Sequence, residues 1–432
     1  MHPKILIVGT VPYNEKSTSR AFDAYFHYWE KENLRQIFSN TKTPCKGHCG
    51  KLYQITDRRI LKRWFNPDIK TGKEFFYHDL PDSWEENSLE LENKALEKAY
   101  KLGSKHTPLT HLLRGILWRK KFWCTEELEN WVEKFKPECI FLAFSNDYFI
   151  PQIALYFAKK YEIPIVSCIG DDYYFNKHFS LNPLYQIYKE TYKRLIRKVL
   201  DHKGSAIYIS NKIRDKYNSE FGLNGETVYL TSTVKRKAFS EINTNNPLIT
   251  YFGNIKMGRN HSLVEIANAL VEINPEFRIE VYSNELVENN YKEIQNNPNA
   301  VYGGSIPYQQ VKEKMEKSDI TVIVEGFDEK DIELSRYSLS TKAADALASG
   351  CAILVYGSKE CGVIEYMQST NSAAVCTEKK DLKHIVEQLI YDTEMQRKYY
   401  DNAVMMTEKN HTLESSTEIF ESIVKKVIKK YD

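Results

Sequence analysis

Between residues 248 and 409 the sequence alternates between two hydrophobic periods, and this alternation limits what the chain can fold into. Short β-rich runs read as strands: LITYFGNI (248–255), FRIEVYS (277–283), AVYGG (300–304), ITVIVEGF (320–327), CAILVYG (351–357) and SAAVCTE (372–378). The intervening and following segments 260–273, 285–296, 308–318, 341–349, 361–369, 379–392 and 394–409 carry apolar residues at helical spacing. Strands that alternate with helices build βαβ units, because parallel neighbours need a long crossover between them. The expected result is a doubly wound parallel sheet of about six strands.

The first half opens in the same way, with KILIVGTV (4–11) as a strand and 18–33 as a helix. ECIFLAF (138–144), PIVSCIG (164–170) and SAIYIS (205–210) are further strands. From 40 to 110 the pattern is polar and aromatic and predicts no definite structure. At 432 residues the chain exceeds one ordinary core, so two domains are expected. Their expected bounds are 1–234 and 248–414, joined by the polar linker 235–247, with a C-terminal amphipathic helix in 415–432.

Lysine and arginine outnumber the acids by 60 to 58, a net charge of +2, so no global field marks a nucleic-acid binder. No apolar run approaches the ~20 residues of a membrane span, and MHPKILIVGT reads as a buried strand rather than a secretory leader. The dispersed cysteines suit free thiols in a reducing compartment, so a cytoplasmic location is expected. Charge is uneven, however: Lys101, Lys105, Arg114, Arg119, Lys120 and Lys121 lie in a stretch without acids. HLLRGILWRKKFW (111–123) reads either as a packed helix with solvated charges or as a peripheral contact with an anionic inner membrane face.

Two segments carry the candidate chemistry. In ITYFGNIKMGRNHSLVEIANAL a strand ends at Gly253 and Asn254, a tight loop follows, and Arg259 stands where a helix begins. A helix N-terminus with a guanidinium beside it suits a phosphate; an ordinary turn with a surface arginine has the same residues. In SRYSLSTKAADALASGCAILVYG a loop closing with Ser340 and Thr341 opens a helix bearing Lys342 and Asp345 on one face. That pair suits a diphosphate and a ribose diol, or else an N-cap, an acid favoured by the helix dipole and a solvated lysine. Both segments lie at strand C-terminal ends, where such sheets bind ligands.

This half resembles the donor domain of GT-B glycosyltransferases, in the family-4-like (group 1) branch. Gly253 matches the family's loop glycine and Arg259 its loop cation. Asp345 matches the acid five residues before the glycine of its A-x-G-x-P-V motif, here Gly350 in GCAIL. YISNKIRDKYNSEFG (208–222) resembles the helix closing the family's first domain, and the opening strand and loop resemble its start, with Ser17, Ser19 and Arg20 in place of a glycine pair. The resemblance implies an α/β GT-B fold: two Rossmann-like domains facing a cleft, and a last helix crossing back to the first. It implies that Arg259 and Lys342 hold the donor diphosphate and Asp345 the ribose, with Gly253, Asn254, Ser340 and Thr341 around them. Asn254 and Tyr337 depart from the family pattern, so Glu325, Asp328 and Glu333 are the candidates for the group facing the sugar.

The activity so implied is transfer of a hexose from a nucleoside-diphosphate sugar to a carbohydrate, lipid-linked or other hydroxyl acceptor. Retention of configuration and a role in cell-surface polysaccharide or glycolipid synthesis follow from the same resemblance. A catalytically degenerate binding module and a nucleotide-sugar epimerase are the alternatives. A dinucleotide dehydrogenase is disfavoured, because VGTVPYN and FGNIKMGRN lack Gly-x-Gly-x-x-Gly. On the acceptor side, Asp171 and Asp172 follow a strand end, either to orient or deprotonate a hydroxyl or simply to cap a loop. Ser19 and Arg20 complete that side. Cys45, His48 and Cys49 lack a second cluster at zinc spacing, so no metal and no cofactor are expected.

Overall fold

The structure, a computed structural model, describes residues 2–15, 18–84, 108–175 and 181–431. The chain divides into two units, Met1–Val228 with Thr417–Asp432, and Tyr229–Ser416. Ser17, Lys101 and Lys105 lie outside the described residues.

The second unit is the sheet expected from the alternation. Its strands are β9 (Ile249–Phe252), β10 (Ile279–Tyr282), β11 (Ala300–Gly304), β12 (Ile320–Val324), β13 (Ala352–Tyr356) and β14 (Ala374–Cys376), in the order β11-β10-β9-β12-β13-β14 and parallel throughout. Strand β12 is buried along its whole length. Val322 and Val324 join Leu263, Ile266 and Phe277 on one face, while Ile323 joins Leu347, Val355 and Ile364 on the other. A sheet covered by helices on both faces reads as unbroken apolar runs, which is why these strands stand out in the sequence. A helix at Glu329–Ser335 was not expected; its seven residues carry four charges and show little apolar period.

The first unit holds an eight-stranded sheet. Its strands are β1 (Ile5–Val8), β2 (Leu34–Phe38), β3 (Lys51–Ile55), β4 (Gly72–Phe76), β5 (Cys139–Ala143), β6 (Ile165–Ile169), β7 (Gly204–Tyr208) and β8 (Glu226–Thr227). The order is β4-β3-β2-β1-β5-β6-β7-β8, and β4 alone is antiparallel. Here the sequence reading needs correction. The helix expected over 18–33 covers only Ser19–Phe26, and a short 3-10 turn at Lys31–Asn33 leads into β2. The region 40–110 contributes β3, β4 and the helix Asp57–Phe65. Buried polar residues hid β2 and β3: Gln36 donates to Val11 O at 3.1 Å, and Gln54 donates to Asn40 O at 2.8 Å. Each satisfies a loop carbonyl and interrupts the apolar pattern.

Segment 235–247 forms neither helix nor strand. The last helix, Leu413–Tyr431, places Phe420 in the first unit, fully buried among Tyr25, Phe26, Trp29 and Phe141 with ring centroids 5.2–5.6 Å away. Truncating such a ring costs both transfer free energy and a cavity. Phe420→Ala is expected to destabilise the first unit by about 3–5 kcal/mol in urea unfolding; a loss below about 1 kcal/mol would show that the helix end contributes little to this core.

Candidate functional site

In the second sheet the chain runs from β9 outward through β10 and β11 and then returns to β12 on the other side of β9, so the switch point falls between β9 and β12. Ligands in open α/β sheets bind at the carboxyl ends of such strands. Two charged residues meet there. Arg259 opens the helix Arg259–Ile273 after β9, and Glu325 follows the last residue of β12. The guanidinium donates from Nε to Oε2 at 3.0 Å, and from Nη2 to Oε1 at 3.0 Å and to Oε2 at 2.8 Å. The Glu325 side chain is buried, at 3% exposure, and that of Arg259 is largely covered, at 13%. Among the described residues Nη1 meets only the weak acceptor Met257 Sδ, at 3.9 Å. The Ser262 hydroxyl, one turn along the same helix, donates to Glu325 O at 2.8 Å and ties the helix to the end of β12.

Lys342 completes the cluster from the helix Thr341–Ser349. Its ammonium donates to the Tyr251 hydroxyl at 2.7 Å, and that hydroxyl donates to Asn254 O at 2.5 Å. Burial, joined by the Arg259 charge, pulls the lysine down to about 7 in spite of Glu325. Burial also raises the Glu325 carboxyl, with Arg259 and Lys342 opposing that shift. Gly253 is required where it stands. At φ +133° it would bring a Cβ to 2.1 Å from Lys342 Cε, so only a glycine lets the lysine lie across the end of β9.

The remaining expected donor residues take distinct positions. Asn254 is exposed, and its Oδ1 accepts from Lys256 N at 2.6 Å, closing the loop. Ser340 is the N-cap, accepting from Lys342 N at 3.4 Å, and Thr341 is exposed. Asp345 shares the helix with Lys342 but has different neighbours. It is 6% exposed, and its Oδ1 accepts from the Ser232 hydroxyl at 2.6 Å and from Tyr308 at 3.3 Å. A ribose diol at Asp345 would share it with these hydroxyls. The three candidates for the group facing a sugar also separate. Glu325 is taken up by Arg259, Asp328 is exposed 3.6 Å from Lys330, and Glu333 has a buried Oε1 without a hydrogen-bond partner among the described residues. Tyr251, Ser232 and Tyr308 carried no sequence signal, because their roles arise from packing between distant segments.

In the first unit, Asp171 and Asp172 follow β6. Asp172 caps its own loop, accepting from the N–H of Phe175 at 2.8 Å and of Tyr174 at 3.2 Å, and from the Tyr217 hydroxyl at 3.2 Å. Asp171 reaches solvent, yet the protein packed around it and the Asp172 charge raise its carboxyl above the ordinary range. Ser19 serves the backbone, donating its hydroxyl to Glu15 O at 3.2 Å at the start of its helix, and Arg20 lies half-buried beside it. Cys45 donates to Glu15 Oε2 at 3.4 Å and His48 pairs with Asp23 at 2.8 Å. Burial pushes the thiols of Cys45 and Cys49 up to about 11 and about 12, which keeps both protonated. Among the described residues, no group of three His, Cys, Asp or Glu is placed to hold a metal ion.

Removing one member of a buried ion pair leaves the other charge uncompensated, whereas replacing both by apolar groups is often neutral. Arg259→Ala is therefore expected to lower stability by about 3–5 kcal/mol, and Arg259→Met/Glu325→Met to recover most of that loss, in denaturant titrations. Equal losses in the two variants would show that the charges are not coupled.

Residues 259–422 match the family profile described as glycosyl transferase-like. No curated protein matches the sequence. Among solved structures, HepE of Anabaena in complex with UDP aligns over 98% of this chain and 100% of its own, with a TM-score of 0.60 and 12% identity. WaaG, a glycosyltransferase involved in lipopolysaccharide biosynthesis, aligns over 97% of this chain and 99% of its own, with a TM-score of 0.55 and 10% identity. An E. coli trehalose-6-phosphate structure bound with UDP-2-fluoro glucose covers 98% and 99%, with a TM-score of 0.57 and 8% identity. At such identities the structural likeness is one of fold, and its extent along the whole chain is the useful fact. The two parallel-sheet α/β units, aligned along nearly the whole chain with these structures, have the GT-B fold, and residues 259–422 are similar to the glycosyl transferase-like family.

Proposed function

We propose that the protein transfers a hexose from a nucleoside-diphosphate sugar to an acceptor hydroxyl, with the donor diphosphate at Arg259 and Lys342. The observation that carries this reading is two cations gathered at the β9/β12 switch point, one of them a half-buried lysine whose pKa is drawn down to about 7. Fixed positive groups in a water-poor site stabilise the charge that develops on a leaving diphosphate. Arg259 Nη1 and the Lys342 ammonium are the donors available for that task, and the reading assigns no metal or other cofactor. Asp345 takes the ribose, Glu333 faces the sugar ring, and Asp171 orients the acceptor hydroxyl. HepE is seen with UDP and with UDP-glucose, which makes uridine the first base to test. Retention of configuration and an acceptor on a cell-surface polysaccharide or glycolipid belong to the same reading.

The first experiment is a thermal-shift panel of UDP, GDP, ADP, CDP and NAD on wild type and Lys342→Met, a variant that removes a cation but leaves the Arg259–Glu325 pair intact. One diphosphonucleoside is expected to raise the wild-type midpoint, by about 2.7 kcal/mol of added stability at a hundred times its dissociation constant, and to act weakly on the variant. A response to NAD alone, or none to any nucleotide, would sink the reading.

A second outcome follows from the lysine's titration. With its folded value near 7, Lys342 is mostly neutral at pH 8, and an arriving diphosphate favours its charged form. Binding is then expected to take up a proton at pH 8 and to weaken as pH rises above 7. Calorimetry in two buffers of different ionisation enthalpy reads this uptake, which should vanish in Lys342→Met.

A further inference from the structure

Lys342 reaches the switch point by lying against Tyr251, and that tyrosine bears on the lysine's charge as well as on its place. Tyr251 belongs to β9, is 0% exposed, and shares one core cluster with Ile249, Val281 and Val324. A phenylalanine would fill that core equally well, so packing alone leaves the hydroxyl unexplained. Side chains two apart on a strand share a face, and the next residue on this face is Gly253. There a Cβ would lie 2.1 Å from Lys342 Cε and 2.6 Å from its Nζ. The glycine thus opens the gap through which Lys342 passes, and the phenol stands at its far side.

The direction of the hydrogen bonds fixes what the hydroxyl offers. A phenol has a single proton, and its oxygen also accepts. Tyr251 gives its proton to Asn254 O at 2.5 Å, in the loop after β9, and accepts from the Lys342 ammonium at 2.7 Å. Burial holds the phenol above its ordinary range, so it stays protonated. The ammonium also lies 4.5 Å from the ring centroid, where an aromatic face favours a cation. An acceptor aimed at a charged donor stabilises the charged form. The charged groups that act on Lys342 are Arg259, which opposes its charge, and Glu325, which favours it and is itself acted on by Asp331. Glu325 is engaged by Arg259, so Tyr251 is the neutral partner that holds the lysine charged against burial.

We propose that Tyr251 is a positioning residue of the anion site: its hydroxyl fixes the Lys342 ammonium across the end of β9 and keeps it protonated for an incoming diphosphate. The identity of that anion rests on the donor reading above, whereas the tie between the two side chains can be measured without it.

Tyr251→Phe keeps the ring and removes the acceptor. Competitive acetylation with acetic anhydride, followed by mass spectrometry of the Lys342 peptide, reads the lysine's titration with no nucleotide present. Loss of a hydrogen bond to a charged group should move the Lys342 midpoint down by about one pH unit. UDP, GDP, ADP and CDP are then titrated calorimetrically from pH 5.5 to 8.5. Tyr251→Phe should weaken the nucleotide that binds about tenfold at pH 8 and little at pH 5.5, because the variant loses its ammonium at a lower pH. In the Lys342→Met background the same substitution should change affinity by less than about twofold, since the hydroxyl acts through the lysine. A tyrosine that only supports the fold would weaken binding equally at every pH, or equally in both backgrounds, and either result would overturn the proposal. So would a Lys342 midpoint that is unshifted or raised, or no acetylation of Lys342 up to pH 9 in either protein. If no nucleotide binds wild type, the donor reading fails, and the acetylation comparison still decides whether Tyr251 holds the lysine's charge.

Discussion

The second unit depends on a buried charge pair placed where its sheet changes direction. Arg259 and Glu325 come from the two central strands' loops and meet through three hydrogen bonds of 2.8–3.0 Å. Neither residue could be buried alone, since an isolated buried charge costs far more than one interaction returns. Each therefore dictates the other's position, and Ser262 and Tyr356 fix Glu325 further through its backbone O and N–H. A pair of this kind is weak as a source of net stability. As a constraint on geometry it is strong: the first helix cannot rotate relative to the end of β12 without stranding a charge.

Lys342 is intelligible only against that pair. It crosses Gly253 to reach Tyr251, with its ammonium 4.5 Å from the ring centroid, and the glycine's missing side chain is the space it occupies. The helix carrying it is anchored elsewhere by Asp345, whose carboxylate receives the Ser232 and Tyr308 hydroxyls. Lys342 and Asp345 are three residues apart, and they divide between an ionic cluster and a hydroxyl network on the same helix.

What could be read from the sequence follows from this physics. Buried parallel strands such as ITVIV announce themselves, because both faces are apolar and nothing polar interrupts them. Strands that must satisfy loop carbonyls do not: LRQIF and KLYQI carry Gln36 and Gln54 for that purpose, and so β2 and β3 were missed. Arg259 and Lys342 stood out because a cation on a helix that follows a strand end is a local pattern. Glu325 stood out only as one acid among three, and its pairing with Arg259 depends on two segments 66 residues apart. Tyr251 gave no signal, since its value lies in a hydroxyl aimed at a lysine 91 residues away.

The charge state of the Arg259–Glu325–Lys342 cluster bears on how, in the proposed function, it would admit an anion. Arg259 and Glu325 cancel each other, and Lys342 sits near the midpoint of its titration at neutral pH. A permanently double-positive cluster would add like-charge repulsion and a second desolvation cost. A nearly neutral one is cheap to maintain and acquires its second charge only as a negative ligand enters. The same partial burial that depresses the lysine would strengthen its attraction to a phosphate once that charge is restored, because screening by water is reduced there. On the proposed reading, low cost without an anion and strong hold with one would thus come from one feature, the partial burial of Lys342 beside an already paired arginine.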